Sequence, residues 1–294
     1  MLRIVEPGIM NTVQDAGRWG YQAYGVPVSG AMDLVSLRAA NDLVFNPSDE
    51  AALEIHSPLS LQAGESCLMA VTGAEALIEV NGRSVPEWTS LFVRRGSLVE
   101  IRLRAGGWSY LAVHGGIDVP AVLGSKSTYV RGEFGGLQGR AFQSGDEVPV
   151  GRGSLTEPVS GAGRRASDER RGKIRGNRPV RVLLGPHQDA FTDEAIAALT
   201  RTDYRVTEAA DRMGYRLQGA ILARRRQGEL VSCGVPLGAL QVPPDGQPIV
   251  LMADHQTTGG YPIIATVVSE DIPLIAQRAV GESVTFHVVE AAFI

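Results

Sequence analysis

Short runs of apolar and β-branched residues recur along this chain, each bounded by turn-forming residues, and that rhythm constrains the fold more than any other feature. The runs are CLMAVTG (67–73), ALIEV (76–80), LVEIRLR (98–104), WSYLAVHGG (108–116), VRVLLG (180–185), PIVLMA (248–253), IIATVV (263–268) and SVTFHVVE (283–290). They are too short for core helices and rich in residues that fit a pleated surface. Turn signals such as VNGR at 80–83 and AGG at 105–107 separate neighbours at short intervals, which favours sandwiches or barrels over a βαβ sheet. The predicted class is mainly β with a few helices. Asp33 is placed to cap a helix over LVSLRAANDLVF, FTDEAIAALT (191–200) is a second candidate, and Asp271 is expected to cap a third over IPLIAQRAVG (272–281).

A length of 294 residues suits two domains, and 44% hydrophobic residues suffice for two cores. Between Gly151 and Arg178 the periodicity collapses into glycine, serine and charge, so the reading is a β-rich domain over 1–150, a solvated linker over 151–178 and a second β domain over 179–294. The linker's arginines lack interleaved aromatics, and a net charge of −4 creates no basic field, so nucleic acid is not expected as a partner. No stretch approaches a membrane span and the first residues, MLRIVEPGIM, do not read as a signal, so a cytoplasmic location is expected. The two cysteines, Cys67 and Cys233, read as small hydrophobes. Five scattered histidines and no HExxH run give no metal site.

Familiar motifs fail on context. GAGRRA at 161–166 has the letters of a dinucleotide fingerprint but no strand before it, GSKST at 124–128 lacks the glycines of a P-loop, and no GxSxG elbow occurs. Three polar constellations remain. NTVQDAGRWGYQAYGVPVSGAMD (11–33) sets Gln14, Asp15 and Arg18 ahead of a turn that delivers Ser29, Gly30 and Met32 to the start of the first helix, where a helix N-terminus offers donors to an anion or carbonyl oxygen; the alternative is that Asp33 simply caps the helix. EAADRMGYRL (208–217) sets Asp211 beside Arg212, an acid next to a guanidinium fork, or else a structural ion pair. DHQTTGGYP (254–262) interrupts two strand-like runs with amides, hydroxyls and paired glycines, and is expected to line a cleft where a plain hairpin is the alternative.

With LGSKSTYVRGEFGGLQGR (123–140) and GALQVPPDGQPIVLMADHQTTGGYP (238–262), these stretches closely resemble the KipA family. That family is also known as allophanate hydrolase subunit 2 or as the C-type subunit of 5-oxoprolinase, and is related to part of the carboxyltransferase domain of urea carboxylase. The resemblance implies cyclophilin-like β-barrel domains and a separate KipI-like partner, the B-type or allophanate hydrolase subunit 1 chain, with a third subunit possible. Carried over by motif, Asp33, Asp211 and Arg212 are the catalytic candidates; Gln14, Ser29, Gln241, Gln256, Thr257, Thr258 and Tyr261 are the substrate-binding ones. Ala16, Phe45 and Lys126 depart from the family pattern, and Lys126 offers a point charge where the family has an arginine fork.

The function implied is a subunit of an ATP-dependent 5-oxoprolinase, with Asp33 or Asp211 as proton shuttle and Arg212 holding a substrate carboxylate. ATP belongs to the assembled enzyme, and GAMD at 30–33 lacks the lysine that would carry biotin. The alternatives are carboxyl transfer to a urea-like substrate, and a regulatory module that binds a KipI-like kinase inhibitor without chemistry.

Overall fold

In a computed structural model, residues 1–174, 176–225, 228 and 230–290 are described. The chain divides into unit 1, Met1–Arg18 with Ser29–Ile174, and unit 2, Trp19–Val28 with Arg175–Ile294.

Unit 1 holds two antiparallel sheets. One runs in the order Glu147–Val148, Leu2–Glu6, Leu59–Ala63, Leu98–Leu103, Ala76–Val80, Arg83–Val85; the other runs Thr12–Gln14, Ala52–Ile55, Ser109–Val113, Cys67–Gly73, Ser90–Val93. Alternate side chains from both fill one core: Leu2, Ile4, Leu61 and Ile101 from the first, Leu53, Ile55, Val71 and Leu111 from the second. Burying each such side chain contributes roughly 1.5–3 kcal/mol. Helix α1, Leu34–Leu43, packs against the strands Cys67–Gly73 and Ser109–Val113, with Leu37, Ala39, Ala40 and Leu43 buried. As the sequence predicts, Asp33 is its N-cap.

The stretch expected as a linker is largely exposed, yet up to Ile174 it is tied to unit 1. Its backbone pairs with the edge strand Ser90–Val93: Ser90 N–H donates to the Arg164 carbonyl at 2.9 Å and Gly163 N–H to the Ser90 carbonyl at 2.8 Å. A 3₁₀ turn at Pro158–Gly161 and helix α2, Asp168–Gly172, belong to the same stretch, and Ile174 is buried with Ala39 and Trp88. Hydrophobic periodicity is blind to this kind of backbone pairing, because an edge needs donors and acceptors and no particular side chains.

Unit 2 is built on one eight-stranded sheet, ordered Ser283–Val284, Tyr204–Val206, Gly214–Gln218, Ile249–Leu251, Ala239–Gln241, Ile263–Val267, Val180–Leu184, Phe286–Val288. Its two end strands are separated in sequence by Thr285 alone. The run 283–288 therefore pairs with Tyr204–Val206 on one side and Val180–Leu184 on the other, and the sheet nearly closes into a barrel. Helix α3, Asp193–Arg201, is capped by Thr192, whose hydroxyl accepts from Ala195 N–H at 3.1 Å. The third predicted helix is shorter than expected. Helix α4 covers only Ile272–Ala276, and Asp271 stands at its N-cap position without a side-chain capping bond. The Asp271 carboxylate instead accepts from Arg181 N–H at 2.8 Å and from the Arg178 and Arg181 guanidinium groups. Two guanidinium groups and an amide outcompete one helix-end donor.

Both cysteines are free and half-buried, and burial pushes the Cys67 thiol up to about 11. No helix of the described residues is long and apolar enough to cross a membrane. Among those residues no group of three or more His, Cys, Asp or Glu is placed to hold a metal ion.

Candidate functional site

In unit 1 the first constellation folds around Asp15. Its carboxylate accepts from Ser127 Oγ at 2.5 Å, Ser125 Oγ at 2.7 Å, Lys126 N–H at 2.6 Å and Gly17 N–H at 2.8 Å, tying the strand Thr12–Gln14 to the loop 124–128. Arg18 adds a bond to the Ser127 carbonyl and lies over the Phe134 ring. Gly30 is required where this loop returns: its φ is +85°, and a Cβ there would meet Gly17 N at 2.8 Å.

The sequence-predicted residues of unit 1 lie next to this tether. Gln14 is buried; its Nε2 donates to Thr12 Oγ1 at 3.0 Å and to the Thr128 carbonyl at 3.1 Å. Its Oε1 and the Ser29 hydroxyl are shut off from solvent and have no hydrogen-bond partner among the described residues. A buried polar atom left unmet costs about 1–3 kcal/mol, and neither atom is open to a ligand in this conformation. Asp33 is different, because its carboxylate accepts from Ser36 N–H at 3.0 Å and Ser36 Oγ at 2.5 Å. Its own N–H donates to Tyr110 Oη at 2.8 Å, and Tyr110 donates to Glu54 Oε2 at 2.7 Å. Burial, then the neighbouring Glu54, push the Tyr110 hydroxyl well above its ordinary pKa. Glu54 and Tyr110 carry no local sequence signal, since they lie on strands as ordinary as their neighbours.

Lys126 is a structural cation. Its Nζ donates to Glu50 Oε1 and to the Ile117 carbonyl, both at 2.8 Å. The backbone donors of the same loop are also spent: Ser125 on Val122, Lys126 on Asp15, Ser127 on Ser125 Oγ and Thr128 on Val13. The GSKST stretch therefore does not fit a nucleotide phosphate, which needs such donors unclaimed.

In unit 2, Arg212 meets Asp254 in a two-point pair, Nε to Oδ2 at 2.8 Å and Nη2 to Oδ1 at 3.0 Å, and both side chains are buried. Asp254 N–H returns a bond to the Arg212 carbonyl at 2.8 Å. Asp254 opens the DHQTTGGYP loop, so the pair welds two of the predicted constellations together across 42 residues. Sequence adjacency suggested Asp211 as the relevant acid; its Oδ1 accepts from Met213 and Gly214 N–H, shaping the turn into the strand Gly214–Gln218. His255 follows Asp254 with Nδ1 2.6 Å from the Gln256 carbonyl, and burial holds its pKa below the ordinary histidine value.

Gln241 is buried and its Oε1 accepts from Gln256 Nε2 at 3.0 Å, so these two amides form one unit. A Cβ on Gly259 would come 2.6 Å from Gln241 Nε2, which explains the glycine. Thr258 and Gly259 pair with Cys233–Gly234 in a two-stranded ladder, and Val235 N–H donates to the Thr257 carbonyl at 3.1 Å. At the loop's far end, Gly260 and Tyr261 line a cavity of about 420 Å³; Gln256, Thr257 and Thr258 do not. The loop thus reaches this concavity through Gly260 and Tyr261, the latter one of the substrate-binding candidates read from sequence.

A nearly closed β barrel and a two-sheet unit frame these loops, and comparison with known proteins gives the family. A family model described as carboxyltransferase domain, subdomain A and B, matches residues 24–288. The chain belongs to this family. It is 40% identical to the C-type subunit of 5-oxoprolinase from Escherichia coli strain K12, over 97% of this chain and 90% of that protein. The crystal structure of TTHA0988 superposes with a TM-score of 0.85 at 34% identity, covering 97% of this chain and 55% of that one. The crystal structure of the K. lactis urea amidolyase gives a TM-score of 0.89 at 28% identity, covering 98% of this chain. This chain spans about half of the first solved chain and only 19% of the second.

Proposed function

We propose that this chain is the C-type subunit of a 5-oxoprolinase, opening the lactam of 5-oxoproline to glutamate together with a KipI-like subunit and a third chain, at the expense of ATP. One observation carries the reading: a match at 40% identity that spans nearly the whole of both this chain and a protein of that name. Lactam opening needs donors for the charge developing on the carbonyl oxygen and a group that moves a proton. In this reading Gln14, Ser29, Gln241 and Gln256 remain substrate-binding candidates carried over by motif. Asp33 and Asp211 remain the proton-shuttle candidates. ATP belongs to the assembled enzyme, and the GSKST loop of this chain, with Lys126 and Ser127 N–H and the Lys126 Nζ already bonded, is not offered as its site.

Carboxyl transfer to a urea-like substrate is the second reading, favoured by the family model and by the urea amidolyase match. Biotin would then arrive on a partner chain as cargo.

Co-expression with a KipI-like protein and the third subunit tests the first reading. The expected result is a stable complex, burying at least about 1,000 Å² against the KipI-like chain, that forms glutamate from 5-oxoproline only with ATP. This chain alone is expected to be inactive. Full complex formation without glutamate, alongside bicarbonate-dependent turnover of a urea-type substrate, would replace the first reading by the second.

A further inference from the structure

The 420 Å³ cavity of unit 2 has a size usual for small-molecule sites, and of the residues singled out from sequence only Tyr261 lines it. Its wall includes Ile221, Leu222, Pro243, Pro244 and Tyr261, and among the described residues its charged group is Arg224. Backbone bonds hold the wall in place: Leu222 N–H donates to the Gly246 carbonyl and Val242 N–H to the Pro262 carbonyl, each at 3.0 Å.

Arg224 is unlike its neighbour. Arg225 is neutralised, with Nε on the Phe191 carbonyl and Nη2 on Asp193, both at 2.7 Å. Arg224 donates from Nη2 to the Val242 carbonyl, while its Nε is shut off from solvent with no partner among the described residues. Among those residues no carboxylate pairs with it. The acid that acts on it, Asp245, accepts from Gln247 N–H at 3.0 Å. Burial lowers the Arg224 pKa, with Tyr261 and Asp245 opposing. A guanidinium held partly out of water beside proline and aromatic surfaces favours an anion that also has an apolar body.

We propose that this cavity binds a small ring-bearing carboxylate, with the carboxylate on Arg224 and the ring against Pro243, Pro244 and Tyr261. The class follows from the cavity alone; naming the occupant as 5-oxoproline rests on the function proposed above. Arg212, the sequence-level candidate for holding a substrate carboxylate, has its Nε and Nη2 on Asp254, which leaves Arg224 the better anchor.

Calorimetric titration of the full chain with 5-oxoproline, pyrrole-2-carboxylate and the neutral lactam 2-pyrrolidone tests this. At least one acid is expected to bind about tenfold or more tightly than 2-pyrrolidone, since a charge-assisted bond is at stake. Arg224→Gln should weaken acid binding by about tenfold or more, Arg224→Lys by less, and Tyr261→Ala by about threefold, with thermal melts confirming intact folds. Should Arg224→Gln not fold, Arg224→Lys and Tyr261→Ala carry the same reading. Arg224-dependent binding of pyrrole-2-carboxylate without any binding of 5-oxoproline upholds the site and counts against the 5-oxoproline function. Failure of both acids to bind the wild-type chain, or undiminished binding to the variants, overturns the proposal.

Discussion

Unit 1 fixes its glycine-rich loop by gathering neutral donors around a single half-buried acid, Asp15, whereas unit 2 fixes its polar loop with a matched buried ion pair, Arg212–Asp254. The difference is one of failure mode. A carboxylate served by several hydroxyl and amide donors can lose them one at a time, with graded cost. A buried pair fails when either half goes, because the remaining charge has neither water nor partner. The same contrast separates Arg225, neutralised by Asp193, from Arg224, which retains its charge for an occupant.

The largest effect expected from this contrast is that of Arg212→Ala, at about 3–5 kcal/mol in urea unfolding, from stranding Asp254. Replacing both partners, Arg212→Met with Asp254→Leu, should recover most of that loss. A double variant no better than the single one would break the distinction between the two regions. Next comes Asp15→Ala, expected to cost about 2–3 kcal/mol, with Asp15→Asn retaining part of the tether. Equal effects of the two Asp15 substitutions would show that charge, and not donor count, anchors the loop.

A third test uses pH. Burial alone would raise the Asp271 pKa, but the Arg181 and Arg178 donors outweigh it and hold the carboxyl well below its ordinary value. A depressed carboxyl contributes stability that is fully present above its unfolded pKa, about 4, and is lost as pH falls toward the folded value. Asp271→Asn should therefore cost roughly 1–2 kcal/mol at neutral pH and flatten the acid limb of the stability curve; an unchanged limb refutes the assignment. His255 works in the same direction at higher pH, since a histidine buried neutral loses stability as pH drops below about 6.5. The smallest effect is expected at a cap. Thr192→Ala removes the hydroxyl that meets Ala195 N–H and should cost about 0.5–1 kcal/mol, measured by thermal melting.

Much of the fold was legible because strands announce themselves locally: Cys67–Gly73, Ala76–Val80 and Ile263–Val267 fall on the runs read from sequence. The Asp33 cap was legible for the same reason. What escaped were contacts whose partners lie far apart in the chain. Asp254 meets Arg212 across 42 residues and Asp15 meets Lys126 across 111, and neither separation leaves a local pattern. Asp211 beside Arg212 is visible in a string, while the pairing of Arg212 with Asp254 across the barrel is not. Arg224 escaped for a further reason: it sits in ARRRQ, where three successive arginines resemble an ordinary solvated face.

The near-closure of the unit 2 barrel also sets an order of events. Val180–Leu184 cannot complete its parallel pairing until Phe286–Val288 has been made, more than 100 residues later, and Tyr204–Val206 waits on Ser283–Val284. Non-local pairing of this kind is slow, since the intervening chain must be closed before the contact rewards it. During synthesis the barrel therefore stands as an open sheet with two adhesive edges, while the contiguous sheets of unit 1 can already have formed, and the last strand run is what pairs with both edges at once.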